Sequence, residues 1–379
     1  MSTLDSFVRR SCAALLLAAA PGAAQGATHL LVVAGLGGDP QYIEAFHAQA
    51  LALADAARAS GIPDQNVVVL TEDPARASEV IDARSTRDDV LAQLAALAER
   101  SAEGDQVWLV LIGHGSSSGD VSKLNLPGPD LSDDDYAAAL VPLLGRKVVF
   151  VNAASASGGF VAKVAGKDRV VVTATRSPGE RNETVFGAHF VEALGSDRTD
   201  ADRDGRISVL EAFQAANREV ERYYENEKLL RTEHAVLDDN GDGQGTMQPE
   251  ALGGEDGAGD GILAARVFLG GRTERDVPAQ LREVAARRAE LASQLDELRR
   301  QKGSLSEEVY DQELQRLLLE IARLDAQLRE GGEAPTGAEG AEPGAEPRAE
   351  PGAAAPVVQP ATAEPPTHPA GNRPPEVRR

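Results

Sequence analysis

Two groups of residues have the types and spacing to do chemistry. The first is contiguous. Asp200-Ala201-Asp202-Arg203-Asp204-Gly205-Arg206-Ile207-Ser208-Val209-Leu210-Glu211 follows the pattern of an EF-hand loop. Asp200, Asp202 and Asp204 bring carboxylates to one cation, and Gly205 supplies the sharp turn. Arg206 offers a backbone carbonyl, Ser208 a hydroxyl or a bridging water, and Glu211 a bidentate carboxylate. An all-oxygen set of this kind suits Ca2+. Without the ion the carboxylates crowd one another, so calcium is expected to stabilise the fold by linkage. A second acidic stretch, Asp238-Asp239-Asn240-Gly241-Asp242-Gly243, repeats the first three ligand types but has Pro249 at the twelfth position. It either takes a cation with partners from elsewhere or simply turns.

The second group is split. Leu111-Ile112-Gly113-His114-Gly115 closes one apolar run, and Val151-Asn152-Ala153-Ala154-Ser155-Ala156-Ser157-Gly158-Gly159 closes another. An imidazole and a hydroxyl brought together form a general base and a nucleophile. The small residues around them let a peptide backbone approach closely. Phe160, Val161 and Val164 are expected to begin a helix whose free N–H groups, beside Ser155, could stabilise an oxyanion.

Positioning these residues needs a scaffold, and the chain alternates short apolar runs with helical patterns from His29 to Gly270. The runs are His29–Ala34, Asn66–Leu70, Gln106–Ile112, Lys147–Val151 and Arg169–Thr175, with Ala264–Leu269 as a sixth candidate. They are Val-rich and continuous, as strands buried on both faces are. Thr86-x-x-Asp89 and Ser132-x-x-Asp135 read as helix starts. The rhythm predicts an α/β fold, a doubly wound and mostly parallel six-stranded sheet. Ligand chemistry in such sheets collects at the carboxyl ends of the strands, where His114 and Ser155 both fall.

This pair on this strand pattern resembles the caspase, metacaspase and legumain group of cysteine peptidases. His114-Gly115 matches the group's His-Gly, and Ala154-Ser155-Ala156-Ser157-Gly158 matches its Ala-Cys-x-Ser-Gly type motif, with Ser155 at the nucleophilic cysteine. The resemblance covers roughly His29 to Gly270, and the spacing suits the legumain-like members. It implies a caspase-like fold, His114 as general base or acid, and the N–H groups of Gly115 and Ser155 as an oxyanion hole. The departures are equally specific. The thiol is gone, Ala156 stands where legumain-like enzymes carry glutamate, and Ala153 stands where metacaspases carry aspartate. Cleavage after a particular residue type is therefore not implied, and Glu180 and Arg181 are the candidates to line a pocket. A serine hydroxyl is far less acidic than a thiol and needs a well-placed base with an orienting group. The leading expectation is thus a Ca2+-binding peptidase homologue that is inactive or impaired. The alternatives are an active serine peptidase or esterase using Ser155 and His114, and a non-enzymatic scaffold.

The rest of the chain sets the context. The 379 residues carry a formal net charge of −22, which repels phosphate and argues against nucleic acid as a partner. Arg9 and Arg10, the apolar run Ala13–Ala20 and the small residues that follow read as a signal peptide over 1–27, implying a periplasmic or secreted protein with no membrane span after cleavage. Cys12, the single cysteine, would leave with it, so neither a disulfide nor a zinc-thiolate cluster is available. Val277, Leu281, Val284, Leu291, Leu295 and Leu298, then Tyr310, Leu314, Leu317, Ile321, Leu324 and Leu328, predict a C-terminal helical pair over 276–330. Gly303 breaks the two helices and Ser304 can cap the second. The pair either packs on its own domain or self-associates. Residues 331–379, rich in Pro, Ala, Gly and Glu, are expected to be disordered. His47, His189 and His234 read as structural. Gly115-Ser116-Ser117-Ser118-Gly119 fits G-x-S-x-G without the helix a nucleophile elbow needs. Gly35-Leu36-Gly37-Gly38 reads as a turn.

Overall fold

The computed structural model describes residues 26–332, except 78, 203, 205, 252–258, 271–280, 299–305 and scattered positions from 282 to 297. Residues 1–25 of the expected leader (1–27), the Gly303-Ser304 break and residues 333–379 of the expected tail (331–379) lie outside the described residues.

A mostly parallel sheet forms the centre. Its strands are β1 (Thr28–Ala34), β2 (Val67–Thr71), β3 (Ala83–Arg84), β4 (Gln106–Ile112), β8 (Lys147–Asn152), β9 (Arg169–Thr173) and β10 (Val236–Asp238), in the spatial order β10-β9-β8-β4-β1-β2-β3. Only β10 runs antiparallel to its neighbour. The continuous apolar runs have the expected cause: alternate residues feed two separate cores. Leu30, Val32, Trp108, Val110, Val149, Val151, Val170 and Val172 face one layer, while Leu31, Val33, Val107, Leu109, Val148, Phe150 and Val171 face the other. Helices α1 (Pro40–Ala59), α5 (Phe186–Leu194) and α6 (Val209–Glu227) cover the first face. Helices α2 (Arg87–Arg100) and α3 (Asp133–Ala139) and the short α4 (Val161–Val164) cover the second. The two expected starts are made: Thr86 accepts from the Asp89 N–H, and Ser132 with Asp135 closes a capping box.

The sheet has seven described strands rather than six, and the sixth candidate run is not among them. Residues Ala264–Arg266 form a 3-10 turn, and Phe268 makes only a single antiparallel bridge to Ser208. The Asp239 carboxylate takes the N–H groups of Gly261 and Ala264, and that folds the segment over instead of letting it extend. The edges are made by β3 and β10, two- and three-residue strands too short to give a periodicity signal. A separate antiparallel sheet of β5 (Gly115–Ser118), β6 (Val121–Leu124) and β7 (Leu131–Ser132) grows directly from His114. The G-x-S-x-G stretch is the first of these strands.

Towards the C-terminus, α7 (Glu307–Gly332) packs Leu317 against Leu291, Leu295 and Leu298 in a small core of its own. Tyr310, Leu314, Ile321 and Leu324 border that core, and Arg287 reaches Glu320 at 3.6 Å. No described helix is long and apolar enough to cross a membrane.

Candidate functional site

Because β4 and β8 are parallel neighbours with Leu111 opposite Asn152, the segments leaving them run side by side. Gly115 meets Ser155 there. The Ser155 hydroxyl, whose residue is 4% exposed, accepts from the Gly115 N–H at 3.1 Å and donates to the Gly115 carbonyl at 3.0 Å. A Cβ at position 115 would overlap the Ser155 carbonyl oxygen, so the pair requires glycine. Ala156 follows in the left-handed region at φ 54°, a conformation that costs a non-glycine residue on the order of 1 kcal/mol. Its N–H donates to the Glu180 carbonyl at 2.7 Å, and Thr184 donates to the Ala153 carbonyl at 2.6 Å. The loop after β9 therefore pins the turn that carries Ser155.

The structure brings His114 to the same strand edge but does not bond it to Ser155. The half-buried imidazole lies against α1, edge-on to Tyr42 at 4.6 Å and to Phe46 at 5.0 Å between ring centroids. Burial lowers its pKa, while the charges of Glu183 and Asp39 pull it up. Gly115 supplies its N–H where an oxyanion donor was expected, but that N–H is taken by the serine hydroxyl. The helix expected beside Ser155 is a 3-10 turn, Ser157–Phe160, running into the four residues of α4. The Gly158 N–H is engaged by Thr175 Oγ1 at 2.9 Å, so this segment does not act as a helix terminus aimed at the serine.

Of the two pocket candidates, Glu180 is fully committed. Its carboxylate meets the His234 ring at 2.7 Å, the His234 N–H at 3.1 Å and the Arg176 guanidinium at 3.0 Å. Arg181 donates to Ser117 Oγ at 2.9 Å, across from β5. Tyr42, Phe46 and Glu183 were not singled out from sequence. The only available signal was the four-residue spacing of Tyr42 and Phe46 on one helix face, which equally describes core packing.

The acidic loop gathers as its spacing predicts. Carboxylate oxygens of Asp200, Asp202 and Asp204 lie within 4.8 Å of one another. Glu211 folds back over them: Oε1 accepts from the Ala201 and Asp202 N–H groups, and Oε2 from the Ser208 N–H and hydroxyl. Ser208 and Glu211 also form the capping box that starts α6. Arg206 pairs with Asp204 at 3.1 Å and lies over the Phe268 ring at 3.8 Å. Lost solvation, then the charges of Asp204, Glu211 and Asp200, push Asp202 up to about 6. An oxygen-only set with mutual repulsion fits a hard divalent cation. Gly205, expected to make the turn, lies outside the described residues.

In the second acidic loop, Asp238 accepts from the N–H groups of Gly241, Gly243 and Gln244. Asp260, contributed by a later segment, accepts from the Asp239 and Asn240 N–H groups at 2.9 and 3.2 Å. That is the role Glu211 plays toward the second and third residues of the first loop.

No protein-family model matches the sequence, and no curated protein does. Among solved structures the chain is similar to the Drosophila initiator caspase Dronc, at 13% identity and a TM-score of 0.35, over 58% of this chain and 81% of that one. The functional reading rests instead on the strand order and on the geometry where β4 and β8 end.

Proposed function

We propose that the chain is an exported, calcium-binding homologue of the caspase and legumain peptidases that holds peptide segments at the edge carrying His114 and Ser155 and is impaired in cleaving them. The observation behind the impairment is the direction of the Ser155 hydroxyl. Its proton goes to the Gly115 carbonyl and not to an imidazole, so no base is in place to raise its nucleophilicity. A thiol at the same position has less need of that base, since part of it ionises near neutral pH. Asp200, Asp202, Asp204 and Glu211, with Ser208 and the Arg206 carbonyl, would hold Ca2+ as a structural ion at the start of α6.

Ser155→Cys is the deciding variant, assayed against a panel of fluorogenic peptides beside the unaltered chain. A gain in hydrolysis that depends on His114 supports the reading. Fluorophosphonate labelling of the unaltered chain, abolished in Ser155→Ala, would overturn it in favour of an active serine hydrolase. Loss of neither, with no gain from cysteine and no peptide binding, would leave the fold as a scaffold only.

A further inference from the structure

The proposed edge site lacks an obvious orienting group for its imidazole, and the surroundings of His114 contain a candidate. The geometry points to Glu183, tethered by Tyr42, as the acidic positioning partner of His114. This deepens the reading above, since it takes His114 as the working imidazole.

Tyr42 is the common member. Its ring meets the imidazole edge-on at 4.6 Å with an interplanar angle of 81°, and its hydroxyl donates to Glu183 Oε2 at 2.8 Å. One phenol thus spans the gap between the imidazole and the carboxylate. Phe46, one turn along α1 and 6.0 Å from the Tyr42 ring, meets the imidazole from the same helix at 5.0 Å and 75°. The two rings seat the imidazole against α1, and the hydrogen bond holds the Glu183 carboxylate to Tyr42. The charges acting on His114 come from two places, Asp39 at the start of α1 and Glu183 in the loop between β9 and α5, and Tyr42 touches it as a ring. Tyr42 itself stays neutral, because burial and its bond to Glu183 push its pKa up to about 12. Glu183 and Asp39 both act to raise the His114 pKa, against the larger opposing effect of burial. Burial disfavours the imidazolium, and a held carboxylate offsets that penalty when the ring takes up a proton.

The same carboxylate has a structural alternative, a simple clip between α1 and the loop, and the experiment separates the two. The titration of His114 is followed by NMR on side-chain-labelled full-length protein, with His114→Gln assigning the signal. Glu183→Gln is expected to lower the His114 protonation constant on the order of threefold or more. Tyr42→Phe, which keeps the ring contact but releases the carboxylate, is expected to lower it less and in the same direction. A Glu183→Gln protein with reduced thermal stability and an unmoved His114 titration would overturn the assignment. If that variant does not fold, an unmoved titration in Tyr42→Phe overturns it equally. The measurement needs no turnover, so an inert Ser155→Cys protein would defeat the peptidase reading while leaving this result to be judged separately.

Discussion

The strand-edge site and the acidic loop around Asp202 are both made of small sets of polar residues, yet they are held in opposite ways. The loop closes on itself: Glu211 bonds the N–H groups of Ala201 and Asp202 only ten and nine residues away, and Ser208 and Glu211 also form the capping box that starts α6. The edge site is assembled from segments far apart in the chain, with His114, Ser155, Tyr42 and Glu183 each arriving on a different element. In the loop, like charges crowd together, and lost solvation with that repulsion pushes Asp202 up. At the edge, the Ser155 hydroxyl is engaged in both directions by Gly115. A locally encoded loop can thus hold like charges close together, whereas the edge is set by which distant backbone groups reach the serine.

The largest effect that could break this contrast is at Gly115. Gly115→Ala places a methyl group into the Ser155 carbonyl, and both neighbours are backbone, so neither can yield cheaply. We expect a loss of about 3 kcal/mol or more in denaturant unfolding. Gly179→Ala, whose nearest contact would be Ser177 Oγ at 3.5 Å, should be near neutral. Equal effects at the two positions would mean that the edge is not tightly assembled.

The loop should respond to calcium where the edge does not. Calcium at 100 times its dissociation constant is expected to stabilise the full chain by about 2.7 kcal/mol, read as a rise in Tm reversed by chelation. Glu211→Gln should reduce that rise sharply, and Gly115→Ala should leave it in place. A Tm indifferent to calcium would sink the cation assignment.

The last effect concerns pH. Glu233 is buried beneath the loop that carries Glu183, where it accepts from the Val185 and Phe186 N–H groups and from Tyr224. Burial pushes it up to about 7, against the pull of those hydrogen bonds. A carboxyl raised in the folded state binds more protons there than when unfolded, so stability falls as pH rises from about 4.5 to about 7. The slope is at most about 1.4 kcal/mol per pH unit for one group. Glu233→Gln should flatten it. Asp202, raised to about 6, adds a slope of the same sign, and calcium should reverse that part alone because the ion selects the ionised form. Identical pH profiles with and without calcium would count against separate origins.

Legibility followed the same division. The five long strand runs, both capped helix starts and the gathering of Asp200, Asp202 and Asp204 could be read because each is written in neighbouring residues. The run Ala264–Leu269 misled because its apolar content suits a strand, whereas Asp239, far away in sequence, claims the N–H groups that bend it. Asp260 gave no sign of its place over the second acidic loop, since the twelfth position in line is Pro249 and the actual partner comes from another segment. Glu183 was equally silent: an acidic residue in a polar loop has no periodicity to betray it.

The alternating two-core sheet, the gathering of Asp200, Asp202 and Asp204, and the arrival of His114 and Ser155 at the ends of neighbouring strands were legible in the residues themselves. Each follows from short-range periodicity, from turn geometry, or from the rule that parallel strands share their carboxyl ends. The packing of distant segments settled instead that the serine proton faces the Gly115 carbonyl and that the imidazole rests against Tyr42 and Phe46, with Tyr42 bonded to Glu183. Hydrogen-bond direction and ring placement are fixed by which atoms compete within a few ångströms, and that competition is settled only when distant segments are packed together.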